Sequence, residues 1–415
     1  MLYHPAVLDG LDEPGRLDRV PSWAVVGLCL SLLIPSLGIL QKYVGLPGVA
    51  AYVVVGSVVI TTGSRWVVAM LASSSTERRS TGLLVATFVV LFVVFAIAYS
   101  QADSEAAGVG SDRDDALDIA TRALLDREYP YDAVTYLGNP ISPMPGALLL
   151  AVPFGLLGSS AYQSIFWLFV LQFAVARRVH DGRAALVLLW AILALSPIIA
   201  QEFLTGGDYL ANSIYVLVFI MWTVEATLRP GLGVVARTLP AVLLGIGMSS
   251  RANFVLLLPL VAAALVSHVG WTSARRPIAI AGVTLVAVTA PFYLADPDGF
   301  SPLHTSDKLD DFESTLPGAG VIVLAATCLV VVLLALSARK PTVEELLRNC
   351  AIVLAFPVLC GLVLESIQSG RLDVDFASYG LPVAVFGATA CWPAMLGTNE
   401  RLESVPHAAS RADRA

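Results

Sequence analysis

Charge is what this sequence has least of. Only 14% of its 415 residues are Asp, Glu, Lys or Arg, against 57% hydrophobic, and lysine occurs only as Lys42, Lys308 and Lys340. A soluble chain of this length cannot hide so much apolar surface, and a mean hydropathy of +0.77 points to lipid as the solvent. No long polar block is present to fold as a separate soluble domain. Five cysteines, Cys29, Cys328, Cys350, Cys360 and Cys391, lie in or beside apolar runs without paired spacing. That pattern argues against a disulfide framework or a Cys-based metal site and leaves them as small core residues. A Gly-rich phosphate loop, a His/Cys cluster and an ordered Ser/His/Asp set are all missing, which argues against a cytosolic nucleotide as energy source or donor. There is no internal repeat, and residues 1–22 carry both signs of charge without a small-residue cleavage site, so the N-terminus does not read as a removable signal.

What is present is a succession of apolar runs long enough to cross roughly 30 Å of hydrocarbon. They lie at 23–40, 47–63, 83–100, 160–176, 184–200, 209–228, 238–249, 253–268, 277–294, 317–337, 349–366 and 378–396. The fold class expected is all-α, a polytopic membrane helix bundle of about twelve spans. The stretch 141–158 decides the topology, because it is apolar yet interrupted by Pro143, Pro145 and Pro153. Were it to span, Arg177, Arg178 and Arg183 would fall opposite Arg78 and Arg79, and later loops would lose any consistent bias. Lying at the outer surface or re-entering, it puts those arginines with Arg229, Arg237, Arg275, Arg276, Arg339, Lys340 and Arg348 inside, as the positive-inside rule asks.

The expected organisation is a cytoplasmic segment 1–22, a membrane domain 23–396 and a cytoplasmic tail 397–415, in a multi-pass protein of the cell membrane. Its outer loops, 101–140, 295–316 and 365–379, are acidic. His180, His268 and His407 fall inside, His304 outside, and His4 near the N-terminus.

Candidate chemistry gathers on the outer side. Asp114 to Arg127 has helical spacing, with Leu117, Ala120, Leu124 and Leu125 as an apolar stripe suited to a short helix lying at the interface. Asp112, Asp114 and Asp115 stand at its start, where they either cap it or supply a general base. Glu202 and Asp208 flank Gly206-Gly207 between two spans, either as a polar hairpin or as part of a site. Arg251 is nearly alone as a cation at an outer helix junction, either snorkelling to head groups or binding the phosphate of a lipid-linked ligand through its bidentate guanidinium. Arg113, Arg122, Arg127, Lys308 and Arg371 are weaker candidates for that phosphate.

Taken together, an outer acidic loop, the helix ending in Leu124-Leu125, Tyr129-Pro130-Tyr131 and Pro143-Met144-Pro145 form a pattern that resembles the GT-C class of polyprenyl-phosphate-dependent glycosyltransferases, in its bacterial mannosyltransferase-like branch. Gly206-Gly207-Asp208 and the segment from Pro291 to Pro297 are similar to later polar segments of that branch, and the likeness covers roughly 112–300. The class often places its acidic loop after the first span, whereas about three spans precede it here. The resemblance implies an inverting transferase that moves a mannose-like sugar from a polyprenyl phosphate to a glycolipid, glycan or protein acceptor on the outer face. Asp114, Asp115 or Asp112 would be the catalytic base, and Asp208, Glu202, Arg251, Tyr129 and Tyr131 would bind substrate. No cofactor, metal or nucleic acid is called for, although clustered carboxylates could hold a divalent ion. Competing readings are a transporter or lipid-linked-sugar flippase, for which the spans carry few charges, and a scaffold without chemistry.

Overall fold

A computed structural model describes residues 20–72, 78–102 and 112–397. The expected N-terminal segment and tail therefore lie almost wholly outside the described residues, as do His4, His407 and the first part of the acidic loop. The described chain is helical, with α1 (Ser22–Leu33), α2 (Leu37–Ala72), α3 (Arg78–Ala102), α4 (Arg113–Asp126), α5 (Pro145–Gly155), α6 (Gln163–Val179), α7 (Gly182–Leu195) and α8 (Pro197–Leu204) forming its first half. The second half consists of α9 (Asp208–Leu228), α10 (Val234–Met248), the single turn α11 (Ala252–Val255), α12 (Leu258–Ala295), the short α13 (Asp307–Asp310), α14 (Ala319–Ser337), α15 (Val343–Ser369) and α16 (Leu381–Leu396).

Among the described residues, seven stretches are long and apolar enough to cross a membrane, or nine if each of two bent helix pairs is one span. The apolar runs outnumber these stretches because two of them, 50 and 44 residues long, contain breaks, and because the 15-residue α10 is too short to count as one. Gly45 inside α2 has φ 68 and ψ 178, and Gly270 inside α12 has φ 73 and ψ 163, a region open in practice to glycine alone. The stretch 141–158 contributes only the 11-residue α5, about 16 Å of helix at 1.5 Å per residue, set at 95° to the helix that follows. The expected span 184–200 is shorter than its apolar run. Pro197 starts a new helix there, and α8 leaves α7 at 91°.

Helix α9 forms the centre. It is apolar nearly all round and buries most of its length, including Leu210, Ile214, Tyr215, Leu217 and Ile220, against α6, α10, α12 and α16. Helices α2, α3 and α14 and the second half of α12 instead turn Val54, Trp66, Val85, Phe92, Val283, Leu324 and Leu336 outward, the surface a lipid-facing helix presents. Cys350 and Cys391 are buried as expected, but Cys328 is exposed on that outer surface.

The bundle has two polar ends. One carries Arg178, whose Nε and Nη2 donate to Glu344 Oε1 at 2.6 Å and Oε2 at 3.0 Å, joining α6 to the first turn of α15. The pair is nearly buried, at 14% and 7% exposure, and Glu344 also sits where a helix dipole favours an anion. The same end holds the bond between His268 Nε2 and the Pro341 carbonyl at 2.9 Å. The other end carries the residues described below. Replacing Glu344 with Gln leaves Arg178 buried without its counter-charge, and the expected cost is about 3 kcal/mol. Thermal unfolding in detergent checks this, and a melting temperature equal to that of the wild type would show the pair to be dispensable.

Candidate functional site

Helix α4 begins the site. Its carboxylates sort by helical phase, since residues three or four apart share a face. Asp112 and Asp115 point one way, into the turn 134–140. Asp112 Oδ2 accepts from Thr135 Oγ1 and Asn139 Nδ2, each at 2.7 Å, and Asp115 Oδ2 accepts from the Tyr136 amide at 3.1 Å. Asp112 stands at the N-cap position, but its side chain makes no capping bond. Asp114 and Asp118 face another way. Asp114 is 2% exposed and its Oδ2 accepts from the Tyr99 hydroxyl at 2.8 Å, while Asp118 accepts from Ser159 Oγ at 3.0 Å and the Ser160 amide at 2.6 Å.

The apolar face of α4 does not lie on lipid as expected. Leu117 and Ala120 pack with Ile141, Leu148 and Ala151 of the α5 region, Leu124 is partly buried, and Leu125 is exposed, so it falls outside the stripe. Helix α5 is in turn fixed by backbone bonds from Met144 N to Ser250 O at 3.0 Å and Gly146 N to Ser249 O at 2.8 Å. A Cβ at position 146 would run into the carbonyls of Ile246 and Ser249, which is why only glycine lets α5 approach α10 this closely.

From α4, Arg113 reaches across to Glu202 on α8, with Nη1 to Oε2 at 2.6 Å. Glu202 Oε1 accepts from the Tyr209 amide at 2.8 Å and so satisfies a donor at the start of α9. Asp208, the first residue of α9, has no exposed surface. It accepts twice from Arg251 Nη2, at 2.5 and 2.7 Å, and from Asn212 Nδ2 at 2.8 Å. Arg251 Nη1 donates to Ser142 Oγ at 2.9 Å. Both guanidinium carbons lie 5.5 Å from the centre of the Tyr209 ring, and the Tyr209 hydroxyl donates to the Tyr379 carbonyl at 3.2 Å. Glu202 and Asp208 are thus more than a polar hairpin, and Arg251 does not snorkel outward. Glu202, against the opposing effect of burial, holds the Arg113 guanidinium more firmly protonated than usual, with a further contribution from Asp208.

Tyr131 packs edge-on against Phe300 at 4.9 Å and Tyr129 at 5.5 Å, and the Tyr129 hydroxyl donates to the carbonyls of Phe292 and Asp296 at 3.0 and 3.2 Å. Burial pushes the Tyr131 phenol well above its ordinary range, with Arg251 pulling the other way. Tyr131 Oη and Arg251 Nε are among the buried side-chain atoms without a hydrogen-bond partner. Such atoms are where a ligand oxygen gains most, because each unmet group costs about 1–3 kcal/mol.

Of the residues singled out in the sequence, Asp114, Glu202, Asp208, Arg251 and Tyr131 therefore belong to one region. Tyr129 serves to tie that region to α12, and Asp112 and Asp115 serve the 134–140 turn. Arg122 and Arg127 are exposed, and Arg371 meets Asp373 at 3.6 Å. Tyr99, Tyr209, Asn212, Ser142 and Asn253, whose Nδ2 donates to the Tyr209 hydroxyl at 3.1 Å, also take part and were not anticipated. The one available signal was their position at the ends of apolar runs, where polar side chains otherwise meet head groups. Among the described residues no group of three His, Cys, Asp or Glu is arranged to hold a metal ion.

Comparison with protein-family models, with curated proteins and with solved structures finds no match to this chain.

Asp208→Asn leaves Arg251 buried beside a neutral group, and the expected loss is about 3–5 kcal/mol. In a double-mutant cycle, Asp208→Asn with Arg251→Gln should destabilise by less than the sum of the singles, by about 1–3 kcal/mol. Unfolding of purified protein in detergent measures the cycle, and additive losses would mean that the two side chains are not coupled.

Proposed function

We propose that this protein is a membrane glycosyltransferase that moves a mannose-like sugar from a polyprenyl-phosphate donor to a glycolipid, glycan or protein hydroxyl on the outer face. In this reading the breaks at Gly45 and Gly270 divide α2 and α12, α10 spans despite its length, and α5 and α8 remain at the outer surface. The chain then crosses a cell membrane about twelve times in a GT-C-like bundle with both termini cytoplasmic. Two things support that sidedness: the arginine-rich turns share the Arg178–Glu344 end, and Asp114, Glu202, Asp208 and Arg251 share the other.

The observation that carries the reading is Asp114, a buried carboxylate fixed by Tyr99 and adjacent in sequence to Arg113, at the edge of a cluster of two arginines and two acids. Asp114 accepts the proton of the acceptor hydroxyl as its oxygen attacks the anomeric carbon. The bond from that carbon to the phosphate oxygen breaks on the opposite face, with its electron pair leaving on the phosphate, so the configuration inverts. Arg251 stabilises the departing charge. Its Nη2 is engaged by Asp208 and its Nη1 by Ser142, and its Nε is buried without a hydrogen-bond partner. Glu202 and Asp208 hold the two guanidiniums in place. Tyr99 positions Asp114 through the bond its hydroxyl donates to Oδ2.

Transfer of labelled sugar from a polyprenyl-phosphate donor in membranes of matched protein abundance tests this reading. Asp114→Asn should lower transfer about 10²- to 10⁴-fold, the contribution of a general base. Asp112→Asn and Asp115→Asn, whose carboxylates hold the 134–140 turn, should keep measurable transfer, and Tyr99→Phe should fall between. Transfer indifferent to Asp114 would sink the mechanism, and no transfer by the wild type from any polyprenyl donor would turn attention to the flippase reading.

A further inference from the structure

At the end of the bundle remote from Asp114, helices α3, α6 and α7 leave between them a cavity of about 100 Å³, lined by Thr81, Leu84, Phe169, Gln172, Phe173 and Gly182 among others. Its wall is mostly apolar, with Thr81 and Gln172 as its polar side chains. Gln172 is only 4% exposed, its Nε2 donates to the Gly182 carbonyl at 3.0 Å, and its Oε1 is buried with no hydrogen-bond partner. A buried amide oxygen without a donor is uncommon and marks a place for one. At the rim, the exposed Arg177 holds its guanidinium carbon 5.6 Å from the centre of the Phe173 ring. Helix α3, which closes the other side, is the least embedded of the seven candidate spans, with 17% of its apolar window inside the protein.

We propose that this groove is a binding site for one anionic, hydroxyl-headed phospholipid of the phosphatidylglycerol type. Its acyl chain lies along Leu84, Phe169 and Phe173. The phosphate diester meets Arg177, and a headgroup hydroxyl donates to Gln172 Oε1. The choice of an anionic lipid follows from the charge at the rim, and the choice of a headgroup with a donor follows from the unmet acceptor within. Such a site has a consequence for the far end of the same helix. Thr81 and Leu84 line the groove at one end of α3, and Tyr99 holds Asp114 at the other, so the lipid braces a helix that little protein secures. The proposal does not depend on the transferase reading.

Native mass spectrometry of the purified full chain in detergent, titrated with equimolar phosphatidylglycerol, phosphatidylethanolamine, phosphatidylcholine and undecaprenyl phosphate, provides the test. Wild type should retain a single phosphatidylglycerol about five-fold over phosphatidylcholine, the effect of one basic residue on an anionic headgroup. Phosphatidylethanolamine, which brings a donor without net charge, should rank between them. Arg177→Gln, a change on an exposed side chain, should remove most of that preference without altering the melting temperature, and Gln172→Leu should lower retention of both lipids that carry a donor. Equal retention of phosphatidylglycerol and phosphatidylcholine, or a preference that survives Arg177→Gln, would overturn the site. So would retention of undecaprenyl phosphate that falls with Arg177→Gln more than that of phosphatidylglycerol does, or a dimer that excludes lipid from the groove.

Discussion

Asp208 has no surface in contact with solvent, and Arg251 is fixed against it at 2.5 and 2.7 Å. Desolvating either charge alone is far more costly than desolvating the pair. The pairing therefore dictates where the N-terminus of α9, a deeply buried helix, lies relative to the junction between α10 and α12. Everything at this end of the bundle follows from that placement. The Ser249–Ser250 carbonyls that precede Arg251 receive the first amides of α5, α5 supports α4, and α4 carries the acids.

Tyr209 links the two arginines. With both guanidinium carbons 5.5 Å from its centre, its ring keeps Arg113 and Arg251 close together, an arrangement that their mutual repulsion opposes and that Glu202 and Asp208 offset. The result is a region of dense, balanced charge with little exposed surface. A preorganised environment of this kind stabilises charge that appears only when a substrate is present, because its dipoles and ions need not reorganise.

Helix α4 shows how a run of acids divides its labour. Asp112 and Asp115 organise the 134–140 turn, Asp118 receives the Ser159–Ser160 turn, and Asp114 turns inward to Tyr99. Tyr99 is itself held by stacking on Phe95 at 5.0 Å. The geometry of the inward acid thus rests on α3, a helix that meets α6, α7 and α8 but leaves most of its apolar surface outward.

The sequence by itself determined the helical class, the membrane setting, the position of α4 within one residue, and the short, proline-interrupted nature of the segment around α5. These properties are local: the length of an apolar run, the 3.6-residue period and the backbone limits of proline are each written within a few neighbouring residues. It also brought Asp114, Glu202, Asp208 and Arg251 to notice, because charge at the end of an apolar run is conspicuous. It left Asp112, Asp114 and Asp115 equivalent, placed the apolar face of α4 on lipid, and ran the seventh helix through Ser196. Only the tertiary structure separated the three acids, since whether a carboxylate meets a turn or a tyrosine depends on groups brought in from other helices. Only it could pair Arg251 with an acid 43 residues earlier and Arg113 with one 89 residues later. Burial, and the partner that makes burial of a charge tolerable, are properties of the packed bundle and have no counterpart in a linear pattern.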